Sequence, residues 1–117
     1  MSDVAKINLV INKGATFRHN LTWKNSKNQP RDLTGYSARM HIRAEIASTA
    51  IISTLTSVNG GIALGGKLGT INLYLSDTDT SALVALKGVY DLELVSPGLD
   101  VYRLCAGTVI MSPEVTR

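Results

Sequence analysis

The clearest indication of the fold class is the segment Ser37-Ala38-Arg39-Met40-His41-Ile42-Arg43. Its apolar side chains, Ala38, Met40 and Ile42, fall on every second residue, and the residues around them are polar. Successive side chains of an extended strand point to opposite sides, so this alternation predicts a strand with one buried and one solvent-facing side. Sheets that bury only one face are normally antiparallel.

The same alternation recurs along the chain. It is clear over residues 16–24, 69–75 and 88–95, and less regular over 50–56 and 101–111, while residues 7–11 are predicted to form a short opening strand. Clusters rich in Asn, Gly and Pro separate these runs and indicate turns. About seven short strands at this spacing are typical of a small sandwich. We therefore predict one all-β domain over residues 1–117, an antiparallel, Ig-like β-sandwich.

One segment departs from the strand pattern. Polar capping residues and acids occupy residues 76–81, an apolar run follows, and Lys87-Gly88 ends it. Caps and acids favour a helix start, and a lysine followed by a glycine favours a helix end. The sequence predicts one short helix near residues 77–86 that closes one end of the sandwich.

Composition limits the class of protein. The chain has 117 residues, of which 44% are hydrophobic and 18% are charged, which excludes a disordered tail. The net charge of +3 is modest and aromatic residues make up 5%, so nucleic acid is not the expected partner. No apolar run approaches the roughly 20 residues of a membrane span, and the start of the chain does not resemble a secretory signal. We expect the protein to be made in the cytoplasm and not to insert into a membrane.

Residue types that carry catalysis form no recognisable set. His19 shares an apolar strand face, and His41 lies between Arg39 and Arg43, which makes it a poor metal ligand. Cys105 has apolar neighbours, so we predict a buried, unreactive thiol. The chain is therefore predicted to be non-enzymatic, with no cofactor and no metal site.

Two glycine-containing segments leave alternatives open. Residues 60–66 are rich in glycine and are consistent with a hairpin or a loop. Gly107 interrupts the last apolar run, and a bulge, a bend or the close approach of another backbone would each explain it.

The charges are unevenly distributed, with basic residues early and acids late. If the strands at 16–24 and 37–43 pair, their cations form a basic stripe, and a later strand carries acids on its outer face. The resulting candidate docking residues are Arg18, Arg39, His41, Arg43, Asp91 and Glu93. A solvated sheet face is the alternative, because surface charge is the default. If the basic and acidic surfaces lie on different sides, copies would associate head to tail.

A set of strand and turn motifs spans residues 17–23, 30–43, 88–94, 101–104, 106–109 and 112–117. These motifs resemble those of small tailed-phage virion proteins, including the N-terminal β-sandwich domains of baseplate upper proteins and short stand-alone phage structural proteins. The resemblance implies a baseplate, neck or fibre-attachment adaptor in the virion, present in several copies and docked to other virion proteins. The departure is Gly98-Leu99-Asp100, where an Asp-Gly or Asn-Gly turn is expected, so the register of the last hairpin stays open.

A carbohydrate- or receptor-binding module is the alternative function. Such a module needs an exposed aromatic platform. Trp23, however, alternates onto the apolar face of its strand, and the tyrosines are dispersed along the sequence.

Overall fold

Two β-sheets packed face to face make up the computed structural model, which describes residues 4–115. The strands are β1 (Ala5–Lys6), β2 (Leu9–Asn12), β3 (Phe17–Thr22), β4 (Ser37–Arg43), β5 (Ser53–Thr56), β6 (Ile62–Leu64), β7 (Thr70–Leu75), β8 (Lys87–Val95) and β9 (Val101–Ser112). One helix, α1 (Asp77–Ser81), and one 3-10 turn, Gly66–Leu68, complete it. Residues 1–3 of the start that was predicted not to be a signal, and residues 116–117 of the 112–117 motif, lie outside the described residues.

The larger sheet has the order β5-β4-β8-β9, with β1 and β2 along the far side of β9, and the smaller sheet has the order β3-β7-β6. The predicted two-sheet sandwich is confirmed. All pairs are antiparallel except those of β1 and β2, which run parallel to β9. The glycine-rich segment 60–66 contains β6, which forms an antiparallel hairpin with β7, so of the two alternatives that the sequence left open the hairpin is the one observed.

The core is filled by the alternate residues that the sequence pattern predicted. Met40 and Ile42 of β4 and Leu92 and Leu94 of β8 are each at most 1% exposed. They face the smaller sheet, which contributes Ile71 and Leu73 among its buried side chains. One continuous hydrophobic core therefore joins the two sheets.

The predicted helix is shorter than expected. The side chain of Ser76 accepts a hydrogen bond from the Asp79 amide, as a helix cap does, but α1 ends at Ser81 rather than near residue 86. The following Leu83 turns into the core, and Lys87 already begins β8. The predicted helix end near Lys87-Gly88 was wrong. Burial of the Leu83 side chain in the core and the start of β8 at Lys87 outweigh the local sequence signals that favour a longer helix.

The helix closes one end of the sandwich, as predicted, through a buried threonine. Thr80 is fully buried, and its hydroxyl oxygen lies 2.9 Å from the Ala15 carbonyl oxygen. It also accepts a hydrogen bond from the Gly14 amide at 3.1 Å. This contact ties α1 to the loop between β2 and β3.

The strands that were expected to form the basic stripe do not pair. β3 pairs with β7, whereas β4 pairs with β5 and β8, so β3 and β4 belong to different sheets. The connection between them buries Leu33 and half-buries Trp23 and Tyr36 against the core. Crossing from one sheet to the other covers apolar surface that a direct hairpin would leave exposed.

Gly107 is a site of close backbone approach. A Cβ atom on this residue would collide with the carbonyl oxygen of Ile7, which lies between β1 and β2. That carbonyl instead accepts a hydrogen bond from the Tyr90 hydroxyl at 2.6 Å, and the Asn8 side chain accepts from the Thr108 amide at 3.2 Å. These two contacts occur where the chain between β1 and β2 leaves the parallel ladder.

The bulge of the last hairpin lies elsewhere, at Leu104. Leu92 pairs with Cys105 but Glu93 pairs with Arg103, so Leu104 is an extra residue on β9.

Among residues 4–115, no helix is long and apolar enough to cross a membrane.

Candidate docking site on the outer face of the larger sheet

The outward residues of β4, β8, β9 and the N-terminal strands form one polar face. The pairing register places Arg39 opposite Glu93 and His41 opposite Asp91. Lys6 lies beside Ala106, which in turn lies opposite Asp91. The face follows directly from the alternation that buries the intervening residues.

Five of the six candidate docking residues meet on this face, and the exception is Arg18. Arg18 lies on β3 of the smaller sheet, where its guanidinium stacks over the Tyr74 ring at 4.7 Å from the centroid. The predicted stripe therefore loses one member, because its premise, the pairing of β3 with β4, does not hold.

The acids of β8 lie among the cations. Arg39 Nε is 2.9 Å from Glu93 Oε1, and Arg103 Nε is 3.6 Å from Asp91 Oδ2. The basic and acidic residues thus share one mixed face, so the condition on which head-to-tail association depended, two surfaces on different sides, is not met. Both pairs are partly exposed and stabilise the fold by at most about 1 kcal/mol each.

Arg43 is held by its own loop rather than by an acid. Its Nη1 donates hydrogen bonds to the carbonyl oxygens of Ser48 at 3.2 Å and Thr49 at 2.7 Å. Its Nη2 lies 3.4 Å from Nδ1 of His41. These contacts fix the direction of the side chain, and within residues 4–115 no carboxylate lies within 4 Å of its guanidinium nitrogens.

A shallow groove of about 550 Å³ runs across the face, bordered by the exposed side chain of Ile46. The charged groups that line the groove are the cations Lys6, Arg43 and Arg103 and the carboxylate Asp91. The ion pair of Arg39 and Glu93 lies outside the groove on the same face. Three cations against one carboxylate leave the groove positive. A positive, open, mixed-charge groove is suited to an acidic protein surface, for which charge complementarity gives specificity.

Sequence reasoning missed two of these cations, Lys6 and Arg103. Strict alternation from buried Cys105 would place Arg103 in the core, and only the extra residue Leu104 turns it outward. Lys6 joins the face because β1 pairs with a strand about 100 positions away, as its partner Ala106 shows. No local signal in the sequence indicates either position.

Two titratable groups lie beneath this face. Cys105 is 1% exposed, which confirms its predicted burial. Burial and, more weakly, the charge of Asp91 raise the pKa of the Cys105 thiol, although a hydrogen bond from Tyr90 opposes the shift. Burial also raises the pKa of the Tyr90 hydroxyl. Within residues 4–115, no group of three His, Cys, Asp or Glu side chains is placed to hold a metal ion.

Three aromatic residues that are separated in the sequence meet at the end of the sandwich opposite α1. The rings of Trp23 and Tyr36 are 6.3 Å apart, and those of Trp23 and Tyr102 are 5.3 Å apart, both edge to face. Arg31 stacks on the Trp23 ring at 4.1 Å from its centroid. The tyrosines are therefore not all dispersed, since two of the four join one cluster.

No protein-family model matches the chain, and no curated protein matches it.

Proposed function

We propose that this protein is a non-enzymatic structural adaptor that docks, through the outer face of the larger sheet, onto an acidic surface of another protein. The observation that carries the proposal is the positive groove bounded by Lys6, Arg43 and Arg103. Arg43 is held by backbone carbonyls, so its charge is presented with little loss of side-chain entropy on binding.

The setting we propose is the virion of a tailed phage or prophage, as a baseplate, neck or fibre-attachment component present in several copies. It rests on the resemblance of the 30–43 and 88–94 motifs to small virion proteins. Weak ion-pair contacts suit such a setting, because many copies in a symmetric particle act together.

The experiment that tests this proposal is incorporation into particles. Phage particles produced with the wild-type chain should contain it in several copies, measured by quantitative mass spectrometry of purified particles. The double variant Lys6→Gln with Arg103→Gln removes two outward cations without adding acids. We expect it to fold normally and to be incorporated at least about tenfold less.

The matched control is Lys27→Gln with Lys67→Gln, which changes the net charge equally at exposed positions away from this face. It should be incorporated like the wild type. Absence of the wild-type chain from purified particles would refute the virion setting, and equal incorporation of both double variants would refute the docking face.

The aromatic cluster of Trp23, Tyr36 and Tyr102 gives little support to the alternative function, a carbohydrate- or receptor-binding module. A sugar ring stacks on an open aromatic face, but the guanidinium of Arg31 covers a face of Trp23. The rings of Tyr36 and Tyr102 meet Trp23 edge to face and are half-buried. The cluster therefore offers little open ring surface.

A further inference from the structure

Arg31 occupies an unusual position for a charged side chain. Its guanidinium carbon lies 4.1 Å from the Trp23 ring centroid and 5.7 Å from that of Tyr102, and the residue is half-buried. Within residues 4–115 its guanidinium has no carboxylate partner and no hydrogen bond. The neighbouring Asp32 carboxylate instead accepts hydrogen bonds from the amide and hydroxyl of Thr34.

The backbone that carries Arg31 is fixed by three segments that approach closely. The Arg31 amide donates to the Trp23 carbonyl oxygen at 2.9 Å, and the Trp23 amide donates to the Gly69 carbonyl oxygen at 2.9 Å. Gly69 has φ +68°, and a Cβ there would lie 2.8 Å from the Trp23 carbonyl oxygen. The stacked arrangement therefore rests on rigid neighbours.

A stacked guanidinium keeps its N–H donors in the plane of the group, where a carboxylate can accept two of them side by side. We propose that Arg31 receives an aspartate or glutamate carboxylate from an acidic segment of a partner protein, with Trp23 and Tyr102 holding the guanidinium in place. This contact goes beyond the docking face of the larger sheet, because it uses other residues at one end of the sandwich.

Two observations favour an acidic protein segment over nucleic acid. A nucleic-acid base needs an open aromatic face, and Arg31 covers one face of Trp23 while the neighbouring rings meet it edge to face. In addition, tryptophan, tyrosine and arginine are the residue types that most often carry the binding energy of protein interfaces.

The test uses Trp23, which is the single tryptophan of the chain, so its fluorescence reports on this site alone. The full-length protein is titrated at low ionic strength with a capped peptide of six glutamates. A peptide of six glutamines is the matched control. We expect a saturable fluorescence change with half-saturation at or below about 1 mM for the acidic peptide only.

Three variants locate the contact. Arg31→Gln should weaken binding at least about tenfold, because a charged hydrogen bond is lost. Arg31→Lys keeps the charge but loses the planar fork, and should weaken binding about threefold or more. The double variant Lys6→Gln with Arg103→Gln should bind like the wild type, which separates this site from the docking face. Thermal unfolding checks that each variant is folded.

Any of three results would overturn the proposal: no saturable change with the acidic peptide, an equal change with the glutamine peptide, or unaltered binding by folded Arg31→Gln. A six-nucleotide thymidine strand serves as the rival ligand. If it bound more tightly than the acidic peptide in an Arg31-dependent way, the partner would be a nucleic acid and the proposed acidic segment would be wrong.

Discussion

Cys105 and Tyr90 show how burial acts on a single titratable residue. The Tyr90 hydroxyl lies 3.8 Å from Cys105 Sγ and donates to the Ile7 carbonyl. Burial disfavours the thiolate and raises the pKa of Cys105 above its ordinary value. Because the unfolded chain releases this proton more readily than the folded one, folding becomes less favourable once the pH passes the ordinary thiol value.

We therefore predict that the free energy of unfolding decreases as the pH rises above about 8.5. The Tyr90 hydroxyl, whose pKa is also raised, adds to the loss above about pH 10. Urea unfolding at a series of pH values measures the effect. In Cys105→Ala the loss between about pH 8.5 and 10 should be smaller than in the wild type. Identical slopes for the two proteins would contradict the assignment to this thiol.

At the scale of the element, two hairpin loops share one hydrogen-bond pattern. Asn28 donates to the Asn25 carbonyl in the first loop, and Leu99 donates to the Ser96 carbonyl in the second, each at 2.9 Å. The side chains of Asn25 and Ser96 each accept from the amide four residues later, at 3.1 Å. Both loops need a left-handed residue, with φ 62° at Asn28 and φ 70° at Leu99.

Asparagine adopts this conformation at a lower cost in free energy than leucine does. Leu99 is 80% exposed, so its side chain contributes little packing to the fold. We predict that Leu99→Asn stabilises the protein by about 1 kcal/mol, seen as a higher urea midpoint with an unchanged slope. Leu99→Ala removes the exposed side chain but keeps the strain, so its midpoint should change little. An equal gain in both variants would mean that backbone strain is not the cause.

At the scale of the whole molecule, the first strands pair with the last one. Leu9 is the partner of Val109 and Ala5 is the partner of Cys105, so the pairing closes the chain across nearly its full length. The Tyr90 hydroxyl anchors this contact at Ile7, where the ladder is interrupted. Contacts between residues so far apart in the sequence cost the most loop entropy, so we expect the hydrogen bond that holds them to contribute to the free energy of unfolding of the whole domain.

We predict that Tyr90→Phe destabilises the protein by about 1–2 kcal/mol, because it leaves the Ile7 carbonyl without its hydrogen bond. Denaturant unfolding measures the loss, and amide hydrogen exchange should show faster opening where β1 and β2 meet β9. Tyr74→Phe is the matched control, since the Tyr74 hydroxyl has no hydrogen bond within residues 4–115 and its ring under Arg18 is kept. A loss as large in Tyr74→Phe would contradict a specific role for the Ile7 contact.

Local sequence patterns were enough to predict which residues fill the core and which face solvent along most strands. β4 has the predicted bounds, and Met40 and Ile42 are buried while Arg39 is exposed. Local patterns also located the helix start, where Ser76 caps α1. These features depend on local geometry, namely the alternation of a strand and the free amides of a helix start, so a short stretch of sequence is enough to indicate them.

Which strands are neighbours, and therefore which charges meet, depends on how the whole chain packs. The alternation of β3 and β4 is the same whether they pair or lie in different sheets, so Arg18 could be placed beside Arg39 only by assumption. One extra residue, Leu104, turns Arg103 outward, and no local pattern predicts it. Pairing is chosen by the apolar area that both sheets bury together, a property of the whole chain. For the same reason Trp23 and Tyr102 meet without any signal in the sequence.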